Sequence, residues 1–274
     1  MAFNMHIPVL QKEVIEYLDP KPNENFIDCT IGEGGHSAAI LERIAPRGKV
    51  LGIDRQLRLK QKERLILAED NFANLKNIIE QYKFHPVNGI LFDLGMSSWH
   101  LEESGRGFSF KKKEPLDMRY DPKEGLTAQK IINYWSKAEI ERILREYGEE
   151  RRASQIAERI IETRKVRSIE NTPQLRAIIE GARGNLAQTF QALRVAVNDE
   201  LNNLDKALPQ AVEILEPGGR LAVISFHSLE DRMVKNFFKN PSFEILTKKP
   251  VTPSRAEIEI NPRSRSAKLR VIRK

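Results

Sequence analysis

Residues 26–54 read FIDCTIGEGGHSAAILERIAPRGKVLGID, and their order decides the fold. An apolar run, Phe26 to Thr30, leads into Gly32-Glu33-Gly34-Gly35-His36-Ser37. A helical body follows from Ser37 to Ile44, and a second apolar run, Lys49 to Asp54, closes the stretch. Short apolar runs alternating with helical patterns are the signature of βαβ units and a parallel sheet. Outward from this stretch, Val9 to Leu18 places apolar residues at 9, 10, 14, 15 and 18, a helical period that Asp19-Pro20-Lys21-Pro22 ends. Further strand-like runs lie at Leu65 to Glu69 and Val87 to Leu94. Strands return at Arg220 to Phe226, after the turn Glu216-Pro-Gly-Gly219. Phe243 to Thr247 and Ala267 to Arg273 read as a closing antiparallel pair.

Between these two blocks the strand signal disappears. Ser136-Lys-Ala-Glu139 is a capping box, and Ile140, Ile143, Leu144 and Tyr147 share the face of the helix it opens. Arg152 to Arg164 repeats the pattern, and Thr172-Pro173 reads as an N-cap followed by a first-turn proline, with Gly181 closing that helix. Phe190, Leu193, Val197, Leu201, Leu204 and Leu208 form one more helical stripe. The expected fold is therefore α/β: a Rossmann-like, doubly wound, mostly parallel sheet from residues 1–110 and 191–274, with an all-helical domain inserted at 111–190.

The chain has 274 residues, a mean hydropathy of −0.48 and 40% hydrophobic residues, enough for a sizeable core. No apolar run approaches the roughly 18 residues of a membrane span. Met1 to His6 shows no basic segment leading into an apolar one, so secretion is not expected. The single cysteine, Cys29, excludes an internal disulfide and any multi-cysteine zinc site, and a reducing cytoplasm is the expected home. A net charge of +7 and a pI near 9.4 favour a polyanionic partner, with nucleic acid the leading class. The excess gathers at Asn261 to Lys274, which holds no acid, and at Arg106 to Arg119, which reads as a mobile basic loop around Lys111, Lys112 and Lys113.

Four strand ends point at one crevice. Gly34 and Gly35 let backbone approach a ligand at a helix N-terminus. Asp54 ends the second strand 19 residues after Gly35, where an acid accepts hydrogen bonds from ribose hydroxyls. Glu69-Asp70-Asn71-Phe72 follows the third strand with a polar group and an aromatic suited to adenine, and Asp93 ends the fourth. Taken singly, the glycines read as turn residues, Asp54 as a helix cap and Phe72 as core. Their ordered spacing on consecutive strands makes a nucleoside cofactor the better reading. Position 37 is serine where a dinucleotide fingerprint has its third glycine, which with Asp93 favours S-adenosylmethionine over NAD.

Ten ordered motifs then belong together: His6-Ile-Pro-Val-Leu10, Gly32-Glu-Gly-Gly-His-Ser37, Gly52-Ile-Asp-Arg55, Asp93-Leu-Gly-Met-Ser-Ser98, Arg106-Gly-Phe-Ser-Phe110, Pro115-Leu-Asp-Met-Arg119, Tyr147-Gly-Glu-Glu-Arg151, Thr189-Phe-Gln-Ala-Leu-Arg194, Ser225-Phe-His-Ser-Leu-Glu-Asp-Arg232 and Asn261-Pro-Arg-Ser-Arg-Ser266. Over nearly its whole length the chain closely resembles the bacterial 16S ribosomal RNA cytosine-N4 methyltransferase family, known as MraW or RsmH. The resemblance implies a class I methyltransferase fold and S-adenosylmethionine as cofactor. It also implies methylation of the N4 amine of a decoding-region cytosine in 16S ribosomal RNA of the small subunit. Cofactor contacts are implied at Gly34, Gly35, His36, Asp54, Phe72, Asp93 and His100. The chain departs from the family in three places: only ten residues, 55–64, lead from Asp54 to the next strand; Gly184-Asn-Leu-Ala-Gln188 replaces the usual sequence before Thr189; and the stretch from Phe238 to Phe243 is short.

The cytosine amine is a poor nucleophile because its lone pair is delocalised into the ring, so an acceptor must polarise it. Asp93 is the first catalytic candidate and Asp117 the second, a salt bridge to Arg119 being the structural reading of Asp117. Trp99 is placed either to stack on an extruded base or to anchor its loop. His227 lacks a G-x-S-x-G elbow and reads as structural or substrate-contacting. No H-x-x-x-H pair accompanies His36 or His227, so no metal is expected. Two other classes remain open at this stage, a nucleotide-dependent oxidoreductase and a non-catalytic RNA-binding module.

Overall fold

The computed structural model describes residues 8–274, so His6 and Ile7 of the first motif lie outside the described residues. In chain order the elements are α1 (Gln11–Leu18), β1 (Phe26–Asp28), α2 (Gly35–Arg43), β2 (Val50–Asp54), β3 (Leu65–Glu69), α3 (Leu75–Tyr82) and β4 (Gly89–Asp93). Then come α4 (Ser98–Glu102), α5 (Ala128–Tyr134), α6 (Lys137–Gly148), α7 (Ala153–Val166), α8 (Thr172–Gly181), α9 (Leu186–Asn198) and α10 (Glu200–Ile214). The chain closes with β5 (Arg220–Ser225), α11 (Ser228–Phe237), β6 (Glu244–Ile245), α12 (Arg255–Ile260) and β7 (Lys268–Arg273).

The first compact unit runs to Gly95 and resumes at Leu201. Its sheet has the strand order β3-β2-β1-β4-β5-β7-β6, parallel from β3 to β5 and antiparallel at β5–β7 and β7–β6. Both faces are covered, which is why the strands read as almost unbroken apolar runs. Ile27, Leu51, Ile53, Ile90, Phe92, Leu221 and Val223 pack on one side with Leu204, Leu208 and Ala211 of α10. Phe26, Val50, Leu65, Leu91, Ala222 and Ile224 pack on the other with Val14 and Leu18 of α1 and Ile40 of α2.

The link from β2 to β3 is unusual for a parallel pair. Such crossovers commonly take a dozen or more residues and a helix, yet residues 55–64 contain no helix. Leu57 and Leu59 pack against the core beside α2, and the Arg64 guanidinium donates to the carbonyls of Leu41 and Gly48, both at 3.1 Å.

The second compact unit, Met96–Glu200, is helical. Its limits fall at 96 and 200, not at 111 and 190. Met96, Leu101, Phe108 and Phe110 contribute to its core, and so does the whole of α9 through Phe190, Leu193 and Val197. The stripe from Phe190 to Leu208 is two helices, because Asp199 adopts a left-handed φ of 51° between α9 and α10. Ser136 and Glu139 do form a capping box on α6. In α8 the cap is Asn171, boxed with Gln174, so Thr172 is the first helical residue and not the N-cap.

The segment read as a mobile basic loop is pinned into this core. Phe108, Leu116 and Met118 are buried, Gly107 N–H donates to Glu114 Oε2 at 2.9 Å, and Glu114 N–H donates to Thr172 Oγ1 at 3.2 Å. Lys111, Lys112 and Lys113 are its exposed part. Gly107 sits at φ 76°, and a Cβ there would lie 2.2 Å from the Pro115 carbonyl oxygen. Gly107→Ala is expected to lower the stability of the full chain by at least about 2 kcal/mol through strain and overlap together. Urea unfolding followed by circular dichroism checks this, and an unchanged midpoint would contradict it.

Candidate active site

Strands β1, β2 and β4 each end in aspartate, and the turns after β1 and β2 are built on the carboxylates of Asp28 and Asp54. Asp54 Oδ2 accepts the Gly32 N–H at 2.9 Å and its Oδ1 accepts the Gln56 N–H at 3.2 Å. A carboxylate has about four acceptor positions, so ribose hydroxyls can still be held by the remaining lone pairs. Burial raises the Asp54 pKa, against the opposing hydrogen bonds from Gly32 and Gln56. Gly34 has φ 79°, a conformation natural to glycine, and starts α2 without a side-chain cap. The first amides of α2 thus remain available at the turn.

His36 and Asp93 face each other across this edge, with His36 Nε2 3.6 Å from Asp93 Oδ2, too long for a hydrogen bond. Both ring nitrogens of His36 and Asp93 Oδ1 are buried without a hydrogen-bond partner. Buried polar atoms are rarely left so, and they are the groups a bound ligand would satisfy. Phe72 begins a single 3₁₀ turn after β3, and its ring meets Phe92 edge to face at 5.5 Å. It is only partly buried, so one surface stays open. The neighbouring Asp70 N–H donates to the Asp54 carbonyl at 3.0 Å, which brings this turn to the same edge. Gly34, Gly35, His36, Asp54, Phe72 and Asp93 are therefore gathered at the carboxyl ends of adjacent parallel strands, where open α/β sheets bind ligands.

Sequence reasoning passed over Asp28 and Thr30. Asp28 Oδ2 accepts the Ser37 hydroxyl at 2.7 Å, Asp28 Oδ1 accepts the Thr30 N–H at 3.2 Å, and Thr30 Oγ1 accepts the Asp93 N–H at 2.7 Å. The signal was present as three strand ends reading Ile-Asp, Ile-Asp and Phe-Asp. Burial pushes the Asp28 carboxyl up to about 6, against its hydrogen bond from Ser37 and the nearby His36.

His100 and Asp117 belong to the helical unit. Ser97 Oγ and His100 Nδ1 are 2.8 Å apart, and the imidazole meets the rings of Trp99, Phe108 and Tyr120 edge on. Trp99 carries the Arg106 guanidinium 5.3 Å from its ring centroid. Asp117 is gripped by Arg119 through two side-chain hydrogen bonds of 2.7 and 2.8 Å. Burial would raise its pKa, but Arg119 outweighs burial and holds the carboxyl below the usual range. The Met118 backbone between them has a left-handed φ of 60°, fixed by Asn198, whose side chain donates to the Met118 carbonyl and accepts the Tyr120 N–H, both at 2.8 Å. Asn198 is a third residue the sequence reading passed over. In the sheet unit, His227 caps α11 in a box with Glu230, the structural one of its two readings.

The profile of the MraW methylase family matches residues 3–274. The chain belongs to that family. It is a methyltransferase, and its methyl donor is S-adenosylmethionine, which the open glycine turn, Asp54 and the unpartnered atoms of His36 and Asp93 fit. Similar proteins include the ribosomal RNA small subunit methyltransferase H of Halothermothrix orenii, 46% identical with 97% of each chain covered. The proteins of the same name from Heliobacterium mobile and Thermomicrobium roseum are 44% and 45% identical, covering 98% and 97% of this chain and 98% and 92% of their own lengths. The alignment with the H. orenii protein runs over 302 positions, more than the 274 residues of this chain, so the relative carries segments that this chain lacks.

Two outcomes are expected. Asp54→Ala should weaken S-adenosylmethionine binding roughly tenfold to a hundredfold, the worth of about 1.5–3 kcal/mol for hydrogen bonds to a charged acceptor. Calorimetry showing unchanged affinity would remove Asp54 from the site. Asp28 generates a pH dependence of stability. Its folded pKa of about 6 lies above the reference value of 3.8, so between those values the folded chain binds more protons than the unfolded one. Its contribution to stability therefore falls as pH rises from about 4 to 6, by on the order of 3 kcal/mol, and stays low above that. Asp28→Asn should flatten this part of the profile of unfolding free energy against pH. A variant profile parallel to the wild type would contradict the assignment.

Proposed function

We propose that this chain methylates the exocyclic N4 amine of a specific cytosine in the decoding region of 16S ribosomal RNA, in the small ribosomal subunit. Support for the substrate comes from relatives that bear the name ribosomal RNA small subunit methyltransferase H and match this chain from end to end at 43–46% identity. The structural observation that carries the chemistry is the buried, unpartnered Oδ1 of Asp93 beside the glycine turn. Such a substrate places the enzyme in the cytoplasm, and among the described residues no helix is long and apolar enough to cross a membrane.

The cofactor supplies a methyl group activated on a sulfonium. The residues of this chain must hold that group and align the amine with it, and alignment alone is a large part of the barrier. Gly34 and Gly35 let the backbone approach the donor, Asp54 fixes its ribose, and Phe72 covers its base. Asp93 Oδ1 accepts a hydrogen bond from the target amine, draws the nitrogen lone pair out of conjugation with the ring and stabilises the charge that grows on nitrogen. The target base must leave its stack to reach this edge. Asp117 acts as a positioning residue, because Arg119 already occupies its carboxylate. His100, which the family resemblance implies as a cofactor contact, is held by Ser97 within the helical unit.

Asp93→Asn keeps shape and a carbonyl acceptor but removes the charge. Its kcat is expected to fall at least about tenfold, or roughly 1.4 kcal/mol in the barrier. Nucleoside mass spectrometry of small-subunit RNA treated with labelled donor should place one methyl on cytosine N4. Label on cytosine C5 or on a ribose 2′-oxygen would overturn the proposed reaction. Full turnover by Asp93→Asn would overturn the role of its charge.

A further inference from the structure

The helical unit is rich in arginine, and part of that charge is already paired with carboxylates. Arg142 pairs with Glu146, Arg145 with Glu141, Arg176 with Glu180 and Arg194 with Glu200. Arg119 is bound to Asp117, Lys137 to Glu158, and Arg164 donates to the Ile132 carbonyl. Arg159 and Arg167 have no carboxylate within ion-pair distance among the described residues, and both line the same cavity. That cavity, about 210 Å³, lies between the C-terminal half of α7 and α8. Its remaining polar lining is Thr163, Ser168, Gln174 and one acid, Glu162, and its floor is apolar, made by Ile169, Ala177 and Ile178.

Local geometry explains why these side chains meet. Arg159, Thr163 and Arg167 follow one another at i, i+4 and i+8, so they share a face of α7 and its C-cap. The two arginine backbones stand about 12 Å apart along the axis at 1.5 Å per residue. Gly181, the last residue of α8, leaves room for Arg159, whose Nη1 is 2.9 Å from where a Cβ would sit.

We propose that this cleft is an RNA-binding subsite in which Arg159 and Arg167 hold separate phosphates of one strand. Arginine presents a planar fork that matches phosphate oxygens. Thr163, Ser168, Gln174 and Glu162 offer donors and acceptors to sugar hydroxyls and base edges, and the apolar floor takes the face of a ribose or base. The spacing of the arginines suits an extended phosphodiester chain better than a free phosphate. The subsite rests on the proposed RNA substrate and specifies which positive charges of the helical unit touch it.

The test is the double variant Arg159→Gln/Arg167→Gln in the full chain, with binding of small-subunit ribosomal RNA measured from 50 to 200 mM salt. Each lost phosphate contact lowers the slope of log K against log salt by about 0.7–0.9, so the slope should drop by about 1.4–1.8. Affinity at the low-salt end should fall at least about tenfold, and the affinity for S-adenosylhomocysteine should not change. Arg142→Gln/Arg145→Gln, which removes two paired arginines, should leave the slope close to wild type. Inorganic phosphate at millimolar concentration should not displace the RNA. A wild-type chain that binds RNA with a slope the Arg159/Arg167 variant retains would overturn the subsite alone. A wild-type chain without affinity for this RNA would overturn the substrate reading as well.

Discussion

The hydrogen bond from the Gly32 N–H to Asp54 is the constraint on which the site depends. It ties the turn after β1 to the end of β2, and with the Asp28–Ser37 and Thr30–Asp93 contacts it fixes three neighbouring strand ends as one network. Two of the carboxylates, those of Asp28 and Asp54, are committed to backbone or hydroxyl donors before any ligand arrives. The third, Asp93, receives its order through its own N–H and leaves Oδ1 unpartnered. Division of labour among three chemically identical groups thus follows from which donors each strand end meets. A buried carboxylate raised by desolvation, as Asp28 is, costs stability. Its hydrogen bonds to Ser37 and Thr30 give a reason for tolerating that cost, since they set the direction in which α2 starts.

Much of this architecture was legible in the chain. Apolar runs at Leu65 to Glu69 and Arg220 to Ser225 became strands because both faces of the sheet are covered, so no polar alternation interrupts them. The glycine turn and Asp54 were readable because their spacing is set by the length of one helix. Other features escaped for identifiable reasons. The 96–110 segment joins the helical core through single side chains such as Phe108, with only one short helix and no long periodic face to announce it. Asp199 breaks an unbroken stripe of apolar residues by one backbone dihedral, which periodicity does not register. Asp28 was hidden because an acid at a strand end looks alike whether it meets a ligand, an amide or a hydroxyl.

Asp117 shows the same limit from the other side. Its motif is one of the most distinctive in the chain, yet the carboxylate is engaged by Arg119 and its pKa is lowered, which suits an anchor better than a base. The arginines of the helical unit are sorted in the same manner. Sequence counts them equally, whereas ion pairs at i, i+4 neutralise Arg142, Arg145 and Arg176 and leave Arg159 and Arg167 over a cavity. Charge becomes informative about a partner only after its internal partners have been subtracted.

The central claim is that the strand-end network is prearranged for the methyl donor, with Asp93 left open toward the amine. A crystal structure of the chain with S-adenosylhomocysteine tests it most directly. The account predicts ribose hydroxyls within about 2.6–3.2 Å of Asp54, the Gly34–Gly35 turn against the bound molecule, and the Asp28–Ser37 and Thr30–Asp93 contacts unchanged. A ligand bound away from Asp54, or a network that rebuilds itself to admit it, would contradict the account.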